Sequence, residues 1–181
     1  DINEETIGFY FGPRLNAVGR LGDASPGVNF LMTENVLEAN DYAKQLNEKN
    51  QERKAIVETI TEQAIAQIEA NKQLADSYVL IVAQEGWNPG VVGIVASKLV
   101  EKYYRPTIVL SIDPVKGIAK GSGRSIGGYH LFNELTKNRE ILQHFGGHPM
   151  AAGMTLATEH VDELRNRLNE QAKAILTEEM L

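Results

Sequence analysis

Three short stretches hold residues whose types and spacing suit recognition of an anionic group. They are HFGGHPMAAGMTL (residues 144–156), GSGRS (121–125) and WNPGVVG (87–93). In the first, Gly146 and Gly147 precede His148. Glycine costs stability inside a strand or helix, so such a cluster marks a place where backbone comes close to something. Two readings fit: a ligand-facing loop with His148 as a donor, or a tight turn whose histidine is a satisfied surface residue. In the second stretch, Ser122 and Arg124 stand two residues apart, on one side of an extended segment, where a hydroxyl and a guanidinium suit phosphate oxygens. In the third, Asn88 and Pro89 supply a helix cap and first turn. The backbone amides from Gly90 onward can then hold an anion at the helix N-terminus.

Other chemistries are excluded. GIAKGSGRS lacks the Gly-Lys-Ser/Thr ending of a nucleotide-binding P-loop, and Ile126 stands where a dinucleotide fingerprint needs its third glycine. No histidine pair with a glutamate has helical metal-ligand spacing, carboxylates are scattered over helix faces, and no serine nucleophile elbow occurs. Without cysteine there is neither a disulfide framework nor a thiolate metal site, which fits a reducing cytoplasm. No apolar run reaches about 18 residues, so no membrane partner is expected. The chain begins at Asp1 without a methionine and is read as a piece of something longer.

A net charge of −6 argues against a nucleic-acid partner, but its distribution argues otherwise. Residues 6–22 carry Arg14 and Arg20 and no acid; residues 114–133 carry Lys116, Lys120 and Arg124 and no acid. These are also the glycine-rich segments, so positive charge sits where backbone is accessible.

The elements that must position these residues fall into three parts. Residues 1–33 read as an irregular interdomain segment with Gly12-Pro13 and Ser25-Pro26 as turn or helix-start signals. A long helix follows over 34–75, capped by Thr33, with apolar residues at helical spacing at each end and a polar waist at residues 47–54. Residues 76–181 read as an α/β domain with a mixed sheet flanked by helices. Strands are expected at 78–83, 107–112, 116–122 and 151–156, and helices at 90–104, 130–137 and, capped by Thr158, 159–175.

Taken in order, GPRLNAVGRL, the polar-waisted helix, GWNPGVVGIVASKL, GSGRS and FGGHPMAAGMTL resemble the second half of the RecJ exonucleases of the DHH phosphoesterase superfamily. The resemblance implies a DHHA1 domain supplying the phosphate-binding half of a cleft in a 5′–3′ single-stranded-DNA exonuclease. It implies that Mn2+ or Mg2+ is held by a preceding DHH domain. No Asp-His-His stretch occurs here, so this segment alone is expected to be inactive and to hold no metal or cofactor. It further implies single-stranded DNA, and a single-stranded-DNA-binding protein, as partners of the full-length protein. Gly146 and Gly147 then let backbone reach the scissile phosphate, His148 points into the cleft, and Ala151, Ala152 and Gly153 keep the next segment slim. Ser122 and Arg124, helped by Arg14 or Arg20, take the terminal phosphate, with Asn88 and Gly90 at the helix start. Asn88 departs from the histidine of many relatives and cannot donate a proton. His144 reads as structural, and His130 and His160 as surface residues. Two alternatives stay open: a DHH phosphodiesterase acting on short oligonucleotides or cyclic dinucleotides, and a non-enzymatic RNA-binding DHHA1 module.

Overall fold

The computed structural model of the protein describes residues 2–177 and Met180. The chain packs as two compact units, Asp1–Val57 and Glu58–Leu181, and the division falls inside one helix. No helix among the described residues is long and apolar enough to cross a membrane.

The first unit is helical where an irregular segment is expected. A π-helical segment, Thr6–Phe11, runs into α1 (Gly12–Leu21), and α2 follows (Ser25–Met32). Pro13 and Pro26 sit in the first turns of α1 and α2, where a missing N–H costs nothing. The Gly-Pro and Ser-Pro pairs are thus helix starts and not breaks. Helix α3 spans Val36–Ala70. Its cap is Asn35, whose side-chain oxygen accepts from the Leu37 amide at 2.9 Å; Thr33 instead accepts from the Asn35 amide at 3.2 Å. The polar waist is not wet all round. Leu46, Asn50, Val57, Ile60, Ala64 and Ile68 are all buried, so one helical stripe continues through it and turns polar for a single turn.

The second unit contains α4 (Lys72–Ala75), β1 (Leu80–Glu85), α5 (Val92–Tyr103), β2 (Thr107–Asp113), β3 (Ile118–Arg124), α6 (Leu131–Thr136), β4 (Leu142–His148), β5 (Ala151–Ala157) and α7 (Val161–Lys173). The five strands make one mixed sheet in the order β1-β2-β3-β5-β4. β1 and β2 are parallel, joined through α5, and every other pairing is antiparallel. Strand β4 was not expected, because its glycines read as a loop; pairing with β5 overrides the poor strand propensity of Gly146 and Gly147. α7 begins later than expected. Thr158 opens a 3₁₀ turn and its hydroxyl, buried without a partner, caps nothing.

Alternation along the strands separates two faces. Ile81, Ile108, Leu110, Ala119, Met154 and Leu156 point to the back, where Leu131 and Leu135 of α6 and Leu164 and Leu168 of α7 complete the core. Burial there pushes the Tyr129 phenol well above its usual range, with Glu134 adding to the effect. On the front, α5 covers β2 and part of β3 with Val95, Ala96 and Leu99.

β1 is an edge strand, and its outward backbone groups are covered by α7. The Asn169 amide accepts from the Val79 N–H and donates to the Val79 carbonyl, both at 3.0 Å, and Arg165 donates to the Ile81 carbonyl at 3.1 Å. Val79 and Ile81 are fully buried, so water cannot replace these partners. An unsatisfied buried backbone group costs about 1–3 kcal/mol. Asn169→Ala is therefore expected to lower unfolding stability in urea by about 2–4 kcal/mol, with Asn169→Asp, which keeps the acceptor, losing roughly half of that. Equal stability of all three proteins would contradict this account of the edge.

Candidate nucleic-acid interface

The front face is built in rows across β3, β5 and β4. Arg124 lies opposite Ala151, and Ala151 opposite His148; Ser122, Gly153 and Gly146 form the next row; Lys120, Thr155 and His144 form the third. Rows are two residues apart along each strand, about 6.6–6.8 Å, and Arg124 and His148 are two strands apart, roughly 10 Å at the backbone. No residue of β3, β4 or β5 is acidic. An acidic chain thus presents a sheet face bearing two cations, two imidazoles and no carboxylate.

Ser122 and Arg124 meet as their spacing requires. Arg124 Nη1 donates to Ser122 Oγ and to the Gly123 carbonyl, each at 2.8 Å, which fixes the guanidinium against its own strand. The first turn of α5 crosses directly above. A Cβ on Gly93 would lie 2.9 Å from Arg124 Nη2 and 3.2 Å from Ser122 Oγ. Gly93 therefore admits the pair beneath the helix N-terminus, a role its place in GVVG hints at but sequence reasoning did not assign.

Asn88 and Gly90 differ from expectation. The Asn88 side chain accepts from the Gly90 amide at 2.8 Å, and the Val91 amide donates to the Asn88 carbonyl at 3.2 Å. The pair closes a turn, and α5 starts only at Val92 without a side-chain cap. The Gly90 amide is committed to Asn88 and not directed at a ligand.

The two adjacent glycines do different things. A Cβ on Gly147 would come within 2.3 Å of the Ala151 carbonyl and 2.6 Å of the Ala152 Cα, so the hairpin itself requires glycine. A Cβ on Gly146 would meet nothing within 4 Å, and one on Gly153 only the Gly121 carbonyl at 3.9 Å. Gly146 and Gly153 keep the front face bare; Gly147 looks to the back. Ala152 is buried behind, as expected, but Gly153 lies beside Gly146 on the front.

His148 ends β4, exposed, and its imidazole has no hydrogen bond or ion pair among the described residues, which argues against a turn residue bonded to its own backbone. The turn that follows is fixed from outside: Ser125 N–H donates to the Met150 carbonyl at 2.9 Å and Leu131 N–H to that of Pro149 at 3.0 Å. His144, read as structural, is exposed on the front face. With Lys120, Gly146, Gly153 and Thr155 it lines an open depression of about 420 Å³. His130 caps α6, its Nδ1 accepting from the Asn133 amide at 3.2 Å, and His160 lies 3.1 Å from Glu163. Arg14 and Arg20 belong to the first unit. Arg14 donates to the Tyr10 carbonyl at 2.8 Å, and Arg20 is exposed in the last turn of α1, where its charge adds to burial in lowering the pKa of Arg53.

Among the described residues no three histidine, aspartate or glutamate side chains converge as metal ligands, so the described residues do not fit a divalent-metal site. The front face offers backbone, hydroxyl, guanidinium and imidazole groups, a set whose chemistry suits an anion.

Comparison with known proteins places this sheet in a family. The DHHA1 domain matches residues 71–174. The chain belongs to the DHHA1 domain family. Over 179 residues it is 56% identical to the single-stranded-DNA-specific exonuclease RecJ of Bacillus subtilis, covering 99% of this chain and 22% of that protein. RecJ of Dickeya dadantii is 40% identical over 167 residues, with coverages of 89% and 29%. The chain thus spans 22–29% of the length of these curated relatives. Among solved structures, Thermus thermophilus RecJ in complex with Mg2+ superposes with a TM-score of 0.83 at 25% identity, over 94% of this chain and 26% of that one. Exonuclease RecJ bound to manganese gives 0.80 at 25% identity, over 94% and 42%. The DHHA1 match covers the sheet and its helices, so the rows described above are features of a DHHA1 domain.

Gly146→Ala should leave thermal unfolding within about 1 kcal/mol of the parent, or slightly raise it, because an extended position with open space accepts a methyl group. Gly147→Ala should lose about 1–3 kcal/mol through overpacking against β5. Matching losses at the two positions would refute the division of roles.

Proposed function

We propose that this chain is the C-terminal part of the core of a RecJ-like 5′–3′ single-stranded-DNA exonuclease, and that its DHHA1 sheet is the phosphate-binding half of the cleft. Residues 1–33 then close the preceding DHH domain, 34–75 form the connecting helix, and 76–181 are the substrate-binding domain. The observation that carries this reading is the acid-free front of β3, β5 and β4, with the Ser122–Arg124 pair and His148 in adjoining rows of an otherwise acidic chain. Similarity to RecJ proteins described as single-stranded-DNA-specific supports the substrate class.

In this reading Arg124, oriented by Ser122, receives the 5′-terminal phosphate beneath the start of α5. The bare backbone at Gly146 admits the next phosphodiester, and Gly147 builds the hairpin that presents it. His148 donates a hydrogen bond to a non-bridging oxygen of that phosphodiester as negative charge develops there. Divalent metal, when bound, supplies the activated water of hydrolysis, and its ligands lie outside this segment. The segment alone should therefore show no metal-dependent degradation of single-stranded DNA. The reading places the full-length protein in the cytoplasm with a single-stranded-DNA-binding protein as partner.

In the full-length protein, Arg124→Ala should weaken binding of 5′-phosphorylated substrate by about 1.5–3 kcal/mol, the range for a charge-assisted hydrogen bond. The 5′-hydroxyl substrate should be far less affected; equal losses would make Arg124 a general backbone contact. Gly93→Ala, which pushes the guanidinium aside, should mimic part of that loss with the fold intact. His148→Ala should lower kcat by about 10²–10³ with little change in affinity or melting temperature. A near-normal kcat per folded molecule would reject its part in the reaction.

A further inference from the structure

The third row of the front face has no part in the reading above. Lys120 is exposed on β3, and its ammonium makes no ion pair or hydrogen bond among the described residues. His144, equally exposed and unpartnered, faces it across Thr155. Between them lies the open depression floored by Gly146 and Gly153, whose missing side chains answer to no packing demand within the protein. The nearest carboxylate is Asp113 at the end of the neighbouring strand β2, one row from Lys120 on the same face, and it is engaged with the Val115 and Lys116 amides and with the Lys116 ammonium. An unpaired lysine over a bare backbone floor, whose one neighbouring carboxylate is already engaged, is a site that attracts an anion.

We propose that Lys120 and His144 bind the first internal phosphate of the same DNA strand, the one that the bare backbone at Gly146 admits, in the depression beside the Ser122–Arg124 pair. Three observations decide for phosphate over base. The walls are cationic and hydrogen-bonding. Phe145 at the depression is turned against Phe132, with centroids 5.7 Å apart, and offers no stacking platform. And Lys120 stands one row from Ser122, about 6.6–6.8 Å along β3, a separation of the order of one step along an extended strand. A contact of this kind gives affinity without sequence preference and makes retention depend on chain length. The inference rests on the terminal-phosphate reading of Ser122 and Arg124.

The test uses the full-length protein without divalent metal. Binding of thymidine 5′-monophosphate and of 5′-phosphorylated oligothymidylates is measured over a range of salt concentrations. Each phosphate neutralised on a single strand contributes about 0.7 to the slope of log affinity against log salt. Lys120→Gln should reduce that slope by about 0.7 for the oligonucleotides, weaken them roughly three- to tenfold at low salt, and leave the monophosphate unchanged. Lys120→Arg should restore the slope, and His144→Ala should weaken the oligonucleotides alone. An unchanged slope in Lys120→Gln overturns the proposal, as does an equal loss for the monophosphate, which would assign Lys120 to the terminal group. Arg124→Ala, measured in parallel on 5′-phosphorylated and 5′-hydroxyl oligonucleotides, reports on the terminal-phosphate reading separately. If it fails to discriminate them while Lys120→Gln still lowers the slope, that reading falls and Lys120 remains a phosphate contact.

Discussion

A slip of one residue of β3 against β2 would turn Lys120, Ser122 and Arg124 into the hydrophobic core and bring Gly121 and Gly123 to the open face. Every chemical property of the front face depends on that register, because side chains alternate strictly along a strand. The lock is steric. A Cβ at Gly121 would lie 1.9 Å from the Val109 carbonyl, and one at Gly123 2.7 Å from a methyl of Leu131, so only glycine fits where these positions now stand. A slipped strand would drive serine, lysine or arginine into that space. The bonds from Ser125 and Leu131 to the β4–β5 turn hold the register on the other side of β3.

With the register fixed, the electrostatics follow. The chain carries more acid than base, and among the described residues most acids sit on helices, many of them in local pairs such as Glu163 with Arg167 and Glu170 with Lys173. Such exposed pairs add little stability and their fields largely cancel. The three adjoining strands have no acid to cancel theirs. A local cationic face on an acidic body attracts a phosphate chain at short range without drawing the whole protein onto nucleic acid, and salt at physiological strength confines that attraction to about 8 Å.

Much of this was legible in the sequence. Ser122 and Arg124 were correctly placed on one side of an extended segment, since their spacing already matches the strand period. The mixed sheet and the parallel β1–α5–β2 unit also follow from the pattern. β4 did not, because a glycine pair signals a break unless the partner strand is known. Once β4 is a strand, His144, Gly146 and His148 fall on one face, and Lys120, Ser122 and Arg124 repeat the same spacing. Asn88 and Thr158 looked like helix caps and are not: the chain turns first and the helices begin later. The helical first unit was hidden because proline punctuates both turns and helix starts. Asn169 could not be found at all, since its partner Val79 is ninety positions away and amides carry no periodic signal.

The neighbouring glycines of β4 also divide what inheritance can alter. Gly147 answers to the carbonyl and Cα of its own hairpin, so any descendant that keeps the fold must keep it, whatever it binds. Gly146 answers to nothing inside the protein. Nothing in the fold stops a descendant from filling that position, so what holds a glycine there is whatever meets the open face: under the proposed function, glycine at both positions marks descendants that keep the bare floor, and glycine at the second alone marks those that keep only the architecture.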